Sequence, residues 1–423
     1  MPDRRTPPAV YPFAPMTMPG ETVERLDNGL TFHRFSGGDQ PVCNLTLHLT
    51  GGVSEMGEAA AKVLASQLSE GTAGRSADEI SEALDDSGAR LSCQSQAHHT
   101  TVKISLLTSR LPDILPVLSD MITEPSFPDD RLDVARQRLV TALHVSLEDP
   151  QAVADIRLQP LVWGRDNPLA HEMTEADIRE VSAGTLRSLH RRLVCPARMH
   201  AYLSGLLDRD SIRATRDFLG NIPVLSSGYD IELHPAMPEP GGSMVVTDMP
   251  SAMQCAIACS IAAPGREHPD YVPLRFAVMA LGGYFGSRLM SNIREEKGLS
   301  YGISAALMGS QDGAQVYIGT TTDRSTSDMV LDEIKHELTE MAVNPPAGEE
   351  LERFRTYAMT GLAEQLDNPI SVMQYYGSQN IVGTPSDYFE RQQAILQSLT
   401  PDDIARTSAK YLNPTKLLIS RTS

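Results

Sequence analysis

Cysteine is scarce in this chain: five residues in 423, at positions 43, 93, 195, 255 and 259. An odd, scattered set excludes a disulfide framework, and the cysteines read as small buried hydrophobes of a protein from a reducing compartment. Cys255 and Cys259 share one strand-like run, MQCAIACSIA. Four residues along a strand span roughly 13 Å, too far apart for a shared metal. Aromatic residues are also few, at 5% with a single tryptophan, Trp163. No run approaches the ~20 consecutive apolar residues of a membrane span, so no membrane partner is expected. A basic surplus is missing as well: 36 Lys and Arg face 54 Asp and Glu, a net charge of −18. A nucleic-acid binder displaces counterions with excess cations, so nucleic acid is not an expected partner. The opening MPDRRTPPAVYPFAP has basic residues with no apolar run behind them. No secretion signal is read there, and a cytoplasmic location is expected.

What is present is a repeated pattern of strands and amphipathic helices. Val23–Leu26 and Leu30–Phe35 flank Asp27-Asn28-Gly29, a hairpin signal because Asn-Gly supplies the positive φ angles of a tight turn. Val42–Leu49 alternates, and residues 55–70 place Met56, Ala60, Leu64 and Leu68 on one helical face. Ser76 with Glu79 forms a capping box for a helix ending near Gly88, and strands follow over 90–96 and 101–107. After a Pro/Gly-dense stretch, 226–242, the same order returns. A shift of 218 residues lays Ser182, Leu186, Leu193, Pro196, Met199 and Ala201 onto Thr400, Ile404, Tyr411, Pro414, Leu417 and Ile419. The reading is an α+β protein of two duplicated domains, each an antiparallel sheet with helices packed on one face. The expected divisions are a loose segment 1–20, an N-terminal domain 21–225, a linker 226–242 and a C-terminal domain 243–423.

Candidate chemistry begins with the histidines. No two of the eleven stand at i, i+4 on a helix, and the adjacent His98-His99 is read as decorating a turn. There is no Gly-x-Ser-x-Gly, no P-loop and no dinucleotide fingerprint. The glycines of GGYFGS, 282–287, follow a helix rather than a strand, which argues against phosphate binding.

Two stretches carry a family likeness. LDNGLTFHRF together with LTGGVSEMGEAAAKVLASQLSEGTAGRSADEISEALDDSGARLS resembles the N-terminal half of the pitrilysin/insulinase-type (M16) zinc peptidases. HPDYVPLRFAVMALGGYFGSRLMSNIREEKGLSYGISAAL resembles their C-terminal half and is the more specific of the two. The resemblance implies two duplicated domains closing on a peptide. Active members carry His-x-x-Glu-His on the first long helix, where the histidines bind zinc and the Glu activates the metal-bound water, and a later Glu completes the site. Counted back from Gly71-Thr72, those positions hold Lys62, Ala65 and Ser66, and the later Glu would fall within Thr141–His144, which has no carboxylate. No catalytic or metal-binding residue of this chain is therefore expected, and Lys62 puts a cation where the metal would sit.

The resemblance also implies a substrate-binding pair, Arg294 and Tyr301 in IREEKGLSY, lying across the chamber from the zinc and gripping backbone carbonyls near the scissile bond. Arg offers a fixed fork of cationic donors and Tyr a phenolic donor. Taken without the resemblance, Arg294 would be a solvated helix end and Tyr301 a half-buried strand residue. In the two-chain branch of the family one subunit carries zinc and its partner carries Arg and Tyr, and this sequence looks like that partner. The expectation is the substrate-binding half of a heterodimeric peptidase. It has no cofactor of its own, a zinc-bearing M16 homologue and a peptide as partners, and no hydrolysis when alone. The alternative is a non-enzymatic peptide-binding or scaffold protein.

Overall fold

The computed structural model describes residues 13–423. Eleven strands among them form two sheets. The first contains β1 (Thr22–Arg25), β2 (Thr31–Ser36), β3 (Val42–Thr50), β4 (Arg90–Ser95), β5 (His99–Leu107) and β6 (Met199–Gly205), in the order β1-β2-β6-β3-β5-β4. The second contains β7 (Met244–Thr247), β8 (Cys255–Ala263), β9 (Ser300–Gly309), β10 (Ala314–Thr322) and β11 (Leu418–Thr422), in the order β7-β11-β8-β10-β9. The hairpin read at Asp27-Asn28-Gly29 is there: β1 pairs antiparallel with β2 and Gly29 has φ +90°. Asn28 also reaches away from the turn, donating to the Leu219 carbonyl at 2.8 Å. Each sheet departs from the expected antiparallel pattern at one place, where β2 runs parallel to β6 and β11 parallel to β7. The partner in each case is the last strand of its half, returning after a helix.

The duplication is visible in three dimensions. The helix Ala183–Leu193 leads into β6 as the helix Pro401–Tyr411 leads into β11, at the offset of 218 residues read from the sequence. Each sheet buries one face against helices of its own half. Val102, Ile104, Leu45 and Leu47 meet Leu115, Leu118 and Ile122 in the first. Ile257, Cys259 and Val316 meet Phe276, Ile334 and Leu338 in the second. The expectation of helices on one face is incomplete, because the opposite face is covered too, by one helix from the other half. Pro150–Trp163 lies on Ala256, Ala258 and Leu418 of the second sheet, where small side chains admit it closely. Pro369–Val382 lies on β2 and β6 of the first. Gly377 permits that approach, since a Cβ there would stand 3.3 Å from the His48 ring.

Residues 222–243 form no helix or strand but are pinned at several points, with Glu239 N–H donating to the Leu161 carbonyl at 2.8 Å and Tyr229 fully buried. The segment expected to be loose, 1–20, falls partly outside the described residues. Its later part is held: Met16 N–H donates to Gln393 at 2.8 Å, the Tyr376 hydroxyl donates to the Pro19 carbonyl at 3.0 Å, and Met18 is buried. All five cysteines are free thiols, four of them buried. No helix among the described residues is long and apolar enough to cross a membrane.

Candidate functional site

The helix read as 55–70 is broken at Gly57, which takes φ +78°, into Val53–Met56 and Glu58–Gln67. Val63, Leu64 and Ala65 of the second segment are buried, while Lys62 and Ser66 are exposed one turn apart on its outer face. That face borders a groove whose other wall is the helix Asp129–Leu147. Of the window Thr141–His144, Ala142 is the residue that lines the groove with both Lys62 and Ser66. The donor set does not suit zinc. Ala65 and Ala142 have no donor, the Ser66 hydroxyl donates to the Val63 carbonyl at 2.9 Å, and Lys62 is a cation paired with Glu58 at 2.6 Å. Among the described residues no group of three or more His, Cys, Asp or Glu side chains is placed to hold a metal.

Arg294 and Tyr301, seven residues apart in two successive elements, meet in space. Arg294 sits in the π-helical turn Met290–Glu296, and Tyr301 is the second residue of β9, an edge strand. The Arg294 guanidinium lies 5.0 Å from the centre of the Tyr301 ring and 4.9 Å from that of Phe285, which comes from the glycine-rich turn. Phe285 is 62% exposed and Tyr301 87% exposed. Two devices put them there. The π-helical turn is anchored underneath: Ile293 is fully buried, and Asn292 donates to Glu337 at 2.6 Å and to Glu333 at 3.0 Å. At the start of β9 a bulge sets Tyr301 and Gly302 against the single residue Thr321, because the register passes from Ile303↔Thr320 to Ser300↔Thr322. Ile303 and Ala305 are buried. Strict alternation would turn Tyr301 to their side, and the bulge sends it to solvent instead. The Ser300 hydroxyl pins this distortion against Thr320 and the Thr321 carbonyl, each at 2.7 Å. Arg294 is half-buried, with its Nε 3.9 Å from Glu295, so the exposed Tyr301 O–H and the terminal guanidinium N–H groups remain to meet carbonyl oxygens.

One set of polar residues was missed in the sequence. His98, read as a turn decoration, is buried between the halves, with Nδ1 2.6 Å from Glu55 and Nε2 2.7 Å from Asp312. Burial opposes its charged form, but hydrogen bonds to Asp312 and Glu55 outweigh it and lift its pKa to about 9. Nearby, His33, His48, His200 and Tyr202 share the face of the first sheet beneath Pro369–Val382, with His33 and Tyr202 stacked at 4.5 Å. Burial holds His48 down to about 3 and His200 to about 4, with neighbouring histidines adding to it, and His99 likewise to about 4. The available signal was one histidine on each of three strands, His33, His48 and His200, with the adjacent His98-His99. Their convergence depends on strand order, which the sequence does not state.

Comparison with known proteins agrees with this fold. Residues 58–171 match the family model described as insulinase (peptidase family M16), and residues 180–357 the one described as peptidase M16 inactive domain. An uncharacterised zinc protease of Mycobacterium bovis is 28% identical over 258 residues, 59% of this chain and 57% of that protein. Subunit 1 of the mitochondrial cytochrome b-c1 complex of Bos taurus is 26% identical over 287 residues, 65% of this chain and 58% of that one. The chain thus spans less than two thirds of the curated relatives it matches first. A peptidase M16 inactive domain from Pseudomonas fluorescens superimposes with a TM-score of 0.85 at 22% identity, covering 95% of this chain and 98% of that one. A protease from Helicobacter pylori does so at 0.84 and 14%, covering 96% and all of that chain.

Proposed function

The chain belongs to the M16 peptidase family, and on that premise we propose that it is the substrate-binding subunit of a heterodimeric zinc peptidase, acting in the cytoplasm with a zinc-bearing M16 homologue. Its halves 21–225 and 243–423 act as two domains that hold a peptide between them. The observation that carries the reading is the contrast between two places in one chain. Lys62, Ala65, Ser66 and Ala142 offer zinc no imidazole or carboxylate, while a half-buried Arg294 on an anchored turn and an exposed Tyr301 on a bulge stand together. A tyrosine 87% exposed is not a core residue, and a packing role does not account for it.

In this reading the partner would hold the zinc, whose chemistry would be to polarise the scissile carbonyl and activate a water. This chain's residues bind and orient. The Arg294 guanidinium and the Tyr301 hydroxyl donate to backbone carbonyls of the extended substrate, fixing its register, and Phe285 shields the guanidinium from water on one side. The test is reconstitution. The chain alone should hydrolyse no peptide, and mixing it with a zinc-bearing M16 homologue of the same host should yield zinc-dependent cleavage. Absence of both complex and activity across the host's homologues would favour the peptide-binding scaffold instead.

A further inference from the structure

The groove between the helices Glu58–Gln67 and Asp129–Leu147 encloses about 320 Å³ and has a charge opposite to that of the molecule. Lys62, Arg131 and Arg138 line it against one carboxylate, Glu70, in a chain of net charge −18. Their charges are not equally committed. Lys62 is paired with Glu58, and Arg131 lies 3.1 Å from Asp78 and 3.9 Å from Glu70. Arg138 has no ion-pair partner among the described residues, and it is exposed to the groove.

A second, independent feature lies in the same lining. Gln67 is 1% exposed, its Nε2 donates to the Arg131 carbonyl at 3.3 Å, and its Oε1 has no hydrogen-bond partner. A buried acceptor left without a donor is costly, which calls for an N–H from outside. Apart from Ser66 the remaining lining is apolar, with Val134 exposed and Leu139 half-buried.

From these residues we infer that the groove binds a carboxylate-bearing segment of extended peptide. The peptide's acidic side chain meets Arg138 and Lys62, a backbone N–H donates to Gln67 Oε1, and aliphatic side chains lie on Val134 and Leu139. An inorganic anion would satisfy the cations but bring no N–H and no apolar surface, so a peptide is the better match. Where active relatives have histidines for zinc, this chain has a site for an anion. The inference rests on the subunit reading only in taking the bound segment as substrate, since the binding itself needs no partner.

The test is fluorescence anisotropy of the full chain with a short labelled peptide alternating Glu and Val, beside counterparts carrying Gln or Lys in place of Glu. The Glu peptide should bind at least about tenfold more tightly than the Gln peptide, the scale of one charge-assisted hydrogen bond, and the Lys peptide not measurably. Arg138→Glu should abolish that preference, and Arg138→Gln should reduce it about tenfold. Gln67→Leu should weaken the Glu and Gln peptides by the same factor. Thermal melting of each variant separates a lost contact from a lost fold, and the exposed Arg138 variants should melt as wild type. Equal affinity for Glu and Gln peptides, or wild-type affinity in folded Arg138→Glu, overturns the proposal. Loss of Glu selectivity with partner-dependent hydrolysis intact would remove this groove alone. Failed reconstitution with Glu selectivity intact would remove only the subunit reading.

Discussion

Tyr301 differs from Ile303 and Ala305, its neighbours two and four residues on, in lying outside the core, and that difference is the test of its role. Tyr301→Phe keeps the ring beside Arg294 and deletes one hydroxyl. In the reconstituted complex it should lower turnover on the order of 100-fold, as removal of one preorganised donor does, without changing the melting temperature or assembly. Arg294→Ala should cost at least as much, because it removes a cation and a fork of donors together. Wild-type rates in both assembled variants would leave these residues without the proposed part. At the same scale, Lys62, Ala65 and Ser66 predict that the dialysed chain retains far less than one zinc, measured by metal analysis. A full equivalent bound by this helix would contradict it. These identities were legible in the sequence once the family likeness was noticed. Exposure of Tyr301 was not, since an alternating strand pattern contains no sign of a bulge.

At the level of elements, the turn bearing Arg294 is held by buried Ile293 and by one side-chain amide. Asn292 is the donor to buried Glu337, whose carboxyl is pushed up by burial. Asn292→Ala leaves that carboxyl without its donor and should cost roughly 1–3 kcal/mol in urea-unfolding measurements, with a loss of activity greater than stability alone explains. Asn292→Asp should be worse above pH 5, setting a third carboxylate beside Glu333 and Glu337. Most elements were readable because each has a local cause: Asn28-Gly29 for the first hairpin, and the Ser76/Glu79 capping box for the helix Ala77–Asp86. The break at Gly57 was not read, because glycine within an apolar helical period signals weakness without stating a positive φ.

Across the whole molecule, the halves are joined by exchanged helices and by the buried Glu55–His98–Asp312 bridge, and that joint titrates. His98 has its folded pKa raised to about 9 from an unfolded 6.5. Its contribution is full below pH 6.5 and is lost as pH rises through 9. His99 and His200, lowered to about 4, and His48, to about 3, act in the opposite sense. Their neutral burial favours the fold above pH 6.5 and is withdrawn as pH falls toward 4 and 3. Melting temperature against pH should therefore peak near neutrality and fall on both sides. Asp312→Asn should lower the curve most below about pH 6.5, progressively less as pH rises toward 9, and so flatten its alkaline side. An unchanged alkaline slope would show that His98 does not hold the halves together.

The sequence alone determined the α+β class, the duplication, most element positions and the residue types at 62, 65 and 66, because periodicity, caps, turn residues and side-chain chemistry are local properties. Only the tertiary structure decided which distant residues meet. It set Ala142 opposite Lys62 and placed His98 between Glu55 and Asp312, and within one short stretch it turned Tyr301 outward beside Arg294 and Phe285. It also made each half cover the other's sheet with a helix. The physical reason is that such meetings follow from strand order, parallel closure by β6 and β11, and a single bulge, which are set by packing of the whole chain and leave no mark in any short stretch of it.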